Sequence, residues 1–304
     1  MLTREQRLSL LTPPTGPIDM VIDTDAYNEI DDQFAIAYAL CNPDRLHVQA
    51  LYAAPFLNHR STSPEDGMIR SEEEIHKLLA LMGKERPVFA GSRTYLSDEN
   101  TPVASPAAED LARRAMAYTP EKPLYVAALG AITNVASALL MQPAIADRIV
   151  IVWLGGHALE WPDNREFNMQ HDVAAARVVY GSGAPLVILP CCGVVSAFST
   201  TAPELKYWLE GKNALCDYLV RNTIEEAEIF AKGTAWSRVI WDVTAVAWLL
   251  NESGRFMADR LIPTPVPEYE HRWRLTEDAP LCRYVFTIHR DSLFTDLFAK
   301  LALN

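Results

Sequence analysis

The chain has 304 residues, of which 49% are hydrophobic and 22% are charged. This composition is typical of a soluble globular protein and argues against a disordered chain, a collagen-like repeat or a membrane bundle. Lys and Arg number 27 against 39 Asp and Glu, and the resulting formal charge of -12 argues against nucleic acid or an anionic membrane as the main partner.

The cysteines and the uncharged segments bear on the location of the protein. Five cysteines without CxxC spacing favour reduced thiols in the cytoplasm over a disulfide framework or a zinc site. The first apolar run is short and is interrupted by Pro13 and Pro14, so it does not resemble a signal peptide. Residues 178–203 carry no charge, but their glycines and prolines predict a turn and a buried strand, not a membrane span.

Short apolar runs alternate with stretches of helical period through the first two thirds of the chain. The predicted strands are residues 18–22, 48–53, 87–89, 124–129, 149–154 and 186–189. The predicted helices are residues 31–40, 71–81, 106–118, 133–140 and 172–180. This alternation predicts an α/β fold, with a mostly parallel, open, twisted sheet flanked by helices and a Rossmann-like core.

The pattern becomes mainly helical after about residue 205. Helices are predicted over residues 204–209, 214–231 and 242–250, and residues 283–289 alternate as an edge strand or hairpin arm would. Because no linker-like segment interrupts the chain, residues 1–304 are expected to form a single domain with a helical C-terminal part.

An acidic segment follows the first predicted strand. No Lys or Arg occurs between Arg7 and Arg45, yet this stretch contains seven carboxylates, which are Asp19, Asp23, Asp25, Glu29, Asp31, Asp32 and Asp44. Helix capping could use some of them, but ionised carboxylates held together cost several kcal/mol unless a cation or a shared proton compensates. With only oxygen ligands nearby, the segment favours a hard ion such as calcium or magnesium.

Four segments resemble, in the same order, motifs of the inosine–uridine-preferring nucleoside hydrolase family. Residues 23–32 resemble its DTD-Pro-Gly-x-DD signature, although the Pro-Gly pair is absent and the loop is two residues longer. Residues 128–134 look like its G-x-L-T-N segment, and residues 149–156 look like its apolar strand ending in Gly-Gly. Residues 166–176 resemble its E-F-N-x-x-x-D-x-x-A-A block.

The resemblance implies a nucleoside-hydrolase-like fold and a hydrolase of purine or pyrimidine salvage. Such an enzyme cleaves the N-glycosidic bond of ribonucleosides, or of related N-ribosides, to ribose and free base. The resemblance implies that Ca²⁺ is held by Asp25, Asp32, the Thr133 carbonyl and Asp242. It also implies that the ribose hydroxyls are held by Asp31, Asn58, Glu166 and Asn168. Asp25 would take a proton from a calcium-bound water, and the protein would be a homo-oligomer, either a dimer or a tetramer.

Two of these assignments can be examined from the residues themselves. In an extended segment Glu166 and Asn168 would point the same way, so both could face a pocket. Asn58 lacks the Gly that precedes the corresponding Asn in the family, and a turn residue is an equal alternative.

Trp241 stands where the purine-active members of the family have a His. Because an indole N–H does not titrate near neutral pH, Trp241 cannot be a general acid. We expect it to line the base subsite and stack on the leaving base, although a buried core aromatic is the alternative. Four residues could supply another donor, and they are Trp236, Tyr27, His157 and Glu160.

Two other classes of function stay open at this point. A ribose- or nucleoside-binding protein could keep the metal and sugar contacts without efficient chemistry. A DxD-type, metal-dependent phosphatase would form an aspartyl-phosphate at Asp23, but the later motifs of that class are not found.

Overall fold

An eight-stranded sheet forms the centre of the structure, a computed structural model that describes residues 2–304. Over these residues the strands are β1 (Ile18–Thr24), β2 (Leu46–Ala53), β3 (Val88–Phe89), β4 (Leu124–Ala128), β5 (Ile149–Leu154), β6 (Leu186–Leu189), β7 (Ser199–Thr200), β8 (Arg238–Val239), β9 (Met257–Pro263), β10 (Val266–Glu268), β11 (Arg272–Arg274) and β12 (Leu281–Ile288). The α-helices are α1 (Arg4–Leu10), α2 (Asp32–Leu40), α3 (Pro64–Leu81), α4 (Pro106–Ala115), α5 (Thr133–Met141), α6 (Phe167–His171), α7 (Val173–Gly181), α8 (Ala202–Leu209), α9 (Ala214–Ala231), α10 (Val243–Leu249) and α11 (Arg290–Ala302). Short 3-10 helices cover Pro143–Asp147, Val195–Ala197 and Glu252–Gly254.

The strand order of the main sheet is β3-β2-β1-β4-β5-β6-β12-β9. Neighbouring strands are parallel except β9, which pairs antiparallel with β12. Two further pairs, β7 with β8 and β10 with β11, form small antiparallel ribbons. The prediction of a mostly parallel α/β sheet is therefore confirmed.

Apolar cores cover both faces of this sheet. Along β1, Met20 and Ile22 face the core that includes α2, α10 and α11, whereas Val21 faces the core that includes α4, α5 and α7. Successive residues of a strand point to opposite faces, so burial on both faces requires continuous apolar runs. This is why the central strands could be found from the sequence.

Helix α3 begins seven residues before its predicted start, at Pro64 instead of residue 71. Ser63 caps it by accepting a hydrogen bond from the Asp66 backbone N–H. Gly67 lies within the first turns, and a Cβ there would lie 2.1 Å from the Phe56 carbonyl oxygen. The glycine weakens the helical pattern in the sequence, but it permits this close approach of two backbone segments.

The C-terminal prediction was incomplete. The strands β8 to β11 and helix α11, which were not predicted, lie in the part that was expected to be mainly helical, whereas β12 corresponds to the strand predicted over residues 283–289. The late alternating strand also lies inside the sheet, between β6 and β9, and not at an edge. Strand β9 was not recognised because its second half is largely exposed and because Asp259 and Arg260 interrupt its apolar pattern. Within residues 2–304, no helix has the length and apolar character needed to cross a membrane.

Candidate active site

The loop after β1 carries a group of buried carboxylates. Asp25 and Asp32 are each 1% exposed, and Asp31 is 3% exposed. Asp31 is the N-cap residue of α2, but its side chain makes no capping hydrogen bond. Its Oδ2 instead accepts a hydrogen bond from the Asp242 backbone N–H, at 3.2 Å. Capping therefore does not account for the Asp31 carboxylate.

Asp31, Asp32 and Asp242 form the acidic cluster of the site. One oxygen atom from each of the three buried carboxylates lies within 4.8 Å of the other two. Asp242 comes from the N-terminus of α10, so the cluster joins segments that are about 200 residues apart in the chain. Burial and the charges of Asp31, Asp32 and Asp25 raise the pKa of Asp242 well above its usual range.

Asp25 lies beside this cluster. Its Oδ2 is buried and has no hydrogen-bond partner among residues 2–304. Burial raises the pKa of Asp25 well above its usual range, and the charges of Asp32 and Asp31 raise it further. An orphaned buried oxygen beside three crowded carboxylates is the environment that a hard divalent cation would stabilise, so these residues fit such an ion.

The metal ligands predicted from the sequence are brought together only in part. Asp31, which the resemblance assigned to the sugar, shares the acidic cluster with Asp32 and Asp242. Thr133 is buried at the start of α5, and its hydroxyl donates a hydrogen bond to Asp172 Oδ2 at 2.6 Å. The role predicted for Thr133 concerned its carbonyl, and that role stays a prediction.

A cavity opens beside the cluster, at the carboxyl ends of β1, β4 and β5. Its lining residues are Asp25, Asn28, Glu29, Asp31, Leu129, Leu154, His157, Arg165, Glu166, Phe167, Asn168, Cys191, Cys192, Trp241 and Asp242. Six predicted site residues are in this set, namely Asp25, Asp31, Glu166, Asn168, Trp241 and Asp242. The cavity lining does not include the other three, which are Asp32, Asn58 and Thr133.

Glu166 and Asn168 reach the cavity by a different route from the one expected. Helix α6 begins directly after Glu166, so the two residues are not consecutive inward positions of an extended segment. Glu166 is the N-cap: its Oε1 accepts from the Asn168 N–H at 3.0 Å, and its Oε2 accepts from the N–H groups of Gly156 and Met169, both at 2.8 Å. The Asn168 side-chain amide donates to the Leu154 carbonyl at 3.0 Å.

Asn58 contacts the cavity wall and does not line the cavity. Its Nδ2 donates to Asn28 Oδ1 at 2.6 Å, and its Oδ1 accepts from the Arg60 backbone N–H at 2.8 Å. Asn28, which does line the cavity, belongs to the longer loop after β1. Asn58 thus holds the loop in place, which agrees better with the turn alternative than with a direct sugar contact.

Sequence reasoning missed the cavity residues of that loop, Asn28 and Glu29. Glu29 lies 3.5 Å from Arg238 Nη2, and burial raises the pKa of its carboxyl. Arg238 in turn lies 3.7 Å from Glu226 Oε1. The extra length of the loop was the only available signal, because the partners of Glu29 lie two hundred residues away and cannot be paired from spacing.

The remaining predictions concern the base subsite. Trp241 is half-buried, lines the cavity and packs against the core. Of the other suggested donors, His157 lines the cavity, whereas Tyr27, Glu160 and Trp236 are not in its lining. The Tyr27 ring lies 4.5 Å from the Arg60 guanidinium, and Glu160 is an exposed partner of Arg260.

Asp23, the nucleophile of the phosphatase alternative, is fully buried and does not line the cavity. Its Oδ1 accepts a hydrogen bond from Asn134 Nδ2 at 2.8 Å, and burial raises its pKa to about 7. A nucleophile must reach its substrate, so this position gives the phosphatase alternative no support.

Comparisons with known proteins agree with this architecture. The model of the family described as "Inosine-uridine preferring nucleoside hydrolase" matches residues 20–279. A 64-residue stretch, 20% of the chain, is 42% identical to the putative pyrimidine-specific ribonucleoside hydrolase RihB of Shigella boydii and covers 26% of that protein. A 64-residue stretch is also 42% identical to the pyrimidine-specific ribonucleoside hydrolase RihB of Escherichia coli, and this stretch covers 20% of that protein. The matched stretch thus spans about a quarter or less of these curated relatives.

Several solved structures share the fold. The purine-preferring ribonucleoside hydrolase from Gardnerella vaginalis superposes with a TM-score of 0.76 at 18% identity, covering 93% of this chain and 98% of that one. The plant nucleoside hydrolase PpNRh1 gives 0.74 at 19% identity, covering 95% and 100%. The type III effector protein XopQ, complexed with adenosine diphosphate ribose, gives 0.69 at 16% identity, covering 98% and 96%.

Proposed function

Because the chain belongs to the inosine-uridine preferring nucleoside hydrolase family, we propose that it hydrolyses the N-glycosidic bond of ribonucleosides or related N-ribosides to ribose and free base. The observation that carries the proposal is the shared cavity, in which Asp25, Asp31 and Asp242 meet Glu166 and Asn168. Several carboxylates, together with a helix-capping Glu and an Asn, form a polar site with the hydrogen-bonding groups that a sugar diol requires.

Asp31, Asp32 and Asp242 would hold a Ca²⁺ ion, with Asp25 and the Thr133 carbonyl as further ligands. The fit rests on the crowded oxygens of the acidic cluster and on the unpartnered Oδ2 of Asp25. Calcium takes six to eight oxygen ligands, so these carboxylates leave room for a water molecule and for sugar hydroxyls. When bound, the ion would lower the pKa of a water molecule and offset the repulsion among the carboxylates.

Asp25 would act as the general base that removes a proton from the attacking water. Among residues 2–304 its Oδ2 has no hydrogen-bond partner, so it can accept that proton without breaking a contact within this part of the chain. The C1′–N bond breaks through a state in which the sugar carries positive charge. The acids around the cavity would stabilise that charge, and Glu166 is held in place for this role by three backbone N–H groups.

Trp241 would provide the surface on which the base stacks. It shares the cavity with Asp242, its neighbour in the chain, so a base above Trp241 would lie close to a sugar held at the acidic cluster. Phe167, which also lines the cavity, offers a second apolar surface. Pyrimidine and purine bases both have faces that can stack, so Trp241 alone does not choose between them.

A direct assay tests the proposal. The purified protein, loaded with Ca²⁺, is incubated with uridine, inosine and p-nitrophenyl riboside, and the released ribose and nitrophenolate are measured. We expect hydrolysis that stops on chelation, and a loss of about 10³-fold in kcat for Asp25→Asn. Glu85→Gln, at an exposed position outside the cavity, is the matched control. Full activity in Asp25→Asn or in the presence of chelator would contradict the assigned base and ion.

The binding-protein alternative keeps one supporting observation. The loop after β1 is longer than the family signature, and its residues Asn28 and Glu29 line the cavity. Calorimetry with ribose, in parallel with the product assay, separates the two functions. Tight ribose binding without release of nitrophenolate would favour the binding protein.

We further propose that the protein is a homo-oligomer, that it is located in the cytoplasm and that its whole chain folds as one unit. Analytical ultracentrifugation tests the oligomeric state, and cell fractionation tests the location. A single calorimetric unfolding transition would support one folding unit.

A further inference from the structure

Among the cavity-lining residues of the described chain, His157 is the one histidine. It follows the Gly-Gly pair at the end of β5, and its side chain is half-buried. The cavity that Asp31 and Asp242 line therefore also contains an imidazole, although position 241 has none.

The position of His157 is fixed through its backbone. Its N–H donates to Asn164 Oδ1 at 2.7 Å, and its carbonyl accepts from Trp273 Nε1 at 3.0 Å. The next residue, Ala158, donates from its N–H to the Cys192 carbonyl at 3.0 Å. Groups that are held by several contacts lose little entropy when they bind a ligand, so this residue is preorganised.

The ring of His157 is also oriented. Its Nδ1 lies 3.3 Å from the Cys192 backbone N–H, which can only donate, so Nδ1 is the acceptor. The ring hydrogen of the neutral imidazole is then on Nε2. Burial lowers the pKa of His157, which favours this neutral form. No residue of the described chain forms a hydrogen bond with Nε2, and Nε2 is not among the buried unpartnered atoms.

We propose that His157 is a catalytic residue that donates a hydrogen bond from Nε2 to the departing base. The assignment rests on the proposed N-glycosidic hydrolysis. It supplies a hydrogen-bond donor to the departing base, in addition to the stacking surface that Trp241 would offer. Trp241 and His157 line the same cavity, one as a stacking surface and the other as a donor.

The step balances without a change in the charge of His157. As the C1′–N bond breaks, its electron pair passes to the base, and the Nε2–H group stabilises the negative charge that develops there. The attacking water forms the new C1′–O bond and loses its proton to Asp25. The departing base takes a proton from solvent water, and Asp25 then releases to solvent the proton that it accepted. The carboxylate is thereby regenerated, no hydroxide is left over, and the products are ribose and the neutral base.

The dependence on leaving group tests this role. A nitrophenolate leaves readily without a hydrogen bond, whereas the anion of a nucleobase is a poorer leaving group. The holoenzyme and the variants His157→Ala and His157→Gln are assayed with uridine, inosine and p-nitrophenyl riboside. His76→Ala, an exposed histidine on α3 outside the cavity, is the matched control.

We expect His157→Ala to lower kcat for the nucleosides by about 100-fold, as removal of one transition-state donor does, and to change kcat for p-nitrophenyl riboside by less than about 3-fold. The amide of His157→Gln can donate and should restore part of the loss for the nucleosides. This pattern would not follow from a purely structural role, because a distorted cavity slows all three substrates.

Three results would overturn the assignment. One is an equal loss for all substrates in both variants, and another is unchanged kcat for the nucleosides in His157→Ala. The third is a loss specific to nucleosides in Arg165→Gln, at the arginine of the cavity lining, without such a loss in His157→Ala. If the unmodified holoenzyme hydrolyses none of the substrates, the proposed function itself fails and the assignment fails with it.

Discussion

Substitution of Gly130 by Ala should move the Asp25 carboxylate without altering any proposed ligand. A Cβ at position 130 would lie 2.8 Å from Asp25 Oδ1, 2.9 Å from Asp25 Cγ and 3.2 Å from the Ala54 Cβ. The Gly130 carbonyl accepts a hydrogen bond from Trp153 Nε1 at 3.1 Å, which restrains the backbone. The side chain of Asp25 is therefore the group that must move.

The size of the effect follows from these distances. Non-bonded atoms are at ordinary separation near about 3.5 Å, so the Asp25 carboxylate must shift by roughly 0.7 Å. A misplacement of about 1 Å in a catalytic group costs on the order of 100-fold in rate. We expect kcat to fall by between about 10-fold and about 100-fold, and overpacking to lower the free energy of unfolding by about 1–3 kcal/mol.

Steady-state kinetics with p-nitrophenyl riboside, calcium calorimetry and chemical denaturation measure these effects together. Gly181→Ala is the matched control, because a Cβ at residue 181 meets nothing within 4 Å. Both variants must give the same circular dichroism spectrum as the unmodified protein. Unchanged kcat and calcium affinity in Gly130→Ala would refute the assignment of Asp25 as base and ligand.

Three further predictions concern stability and the base subsite. The pKa values of Asp23, Asp25, Asp31 and Asp242 are raised on folding, so the native state binds more protons than the unfolded chain. Without metal, the free energy of unfolding should therefore fall as the pH rises from about 4, where the carboxylates of the unfolded chain titrate, through about 7, the pKa of Asp23 in the folded protein. Chemical denaturation in the presence of chelator at several pH values measures this change. An increase in the free energy of unfolding over that pH range would contradict the prediction. Asp242→Asn should raise the melting temperature measured in chelator, and it should remove the increase in melting temperature that Ca²⁺ causes. If Ca²⁺ raises the melting temperature of the variant as much as that of the unmodified protein, Asp242 is not a ligand. Trp241→Ala should lower kcat/KM for uridine by roughly 5-fold to 150-fold, since stacking on one base is worth about 1–3 kcal/mol, and Trp241→Phe should recover most of it; equal values for both variants would argue against stacking.

The sequence was most informative where both faces of an element are buried. The bounds of β5 and β6 were predicted to the residue, because continuous apolar runs such as residues 149–154 have few alternative conformations in a globular chain. Helix α11 was not predicted, because its N-cap residue is His289, which makes no side-chain capping hydrogen bond and is not a typical start signal for a helix.

The site was predictable to the extent that its chemistry is local. Asp25, Asp31 and Asp32 could be found because they follow one strand and repel one another without a cation. The partners of Asn58 and Glu29 could not be found, because Asn28 and Arg238 are paired with them by tertiary packing alone. The expectation that residues 166–168 form one extended segment was wrong, because the Glu166 carboxylate caps a helix that begins at the next residue.

The hydrogen bonds of Glu166 link two steps of the proposed reaction. One carboxylate oxygen accepts from the Gly156 N–H, and the peptide that follows Gly156 leads directly into His157. A ribose hydroxyl that approached Glu166 would compete for the same oxygen and alter the restraint on that peptide. The position of the His157 ring would therefore depend on whether the sugar subsite is occupied. It would differ between a complex with an intact nucleoside and a complex with the free base alone.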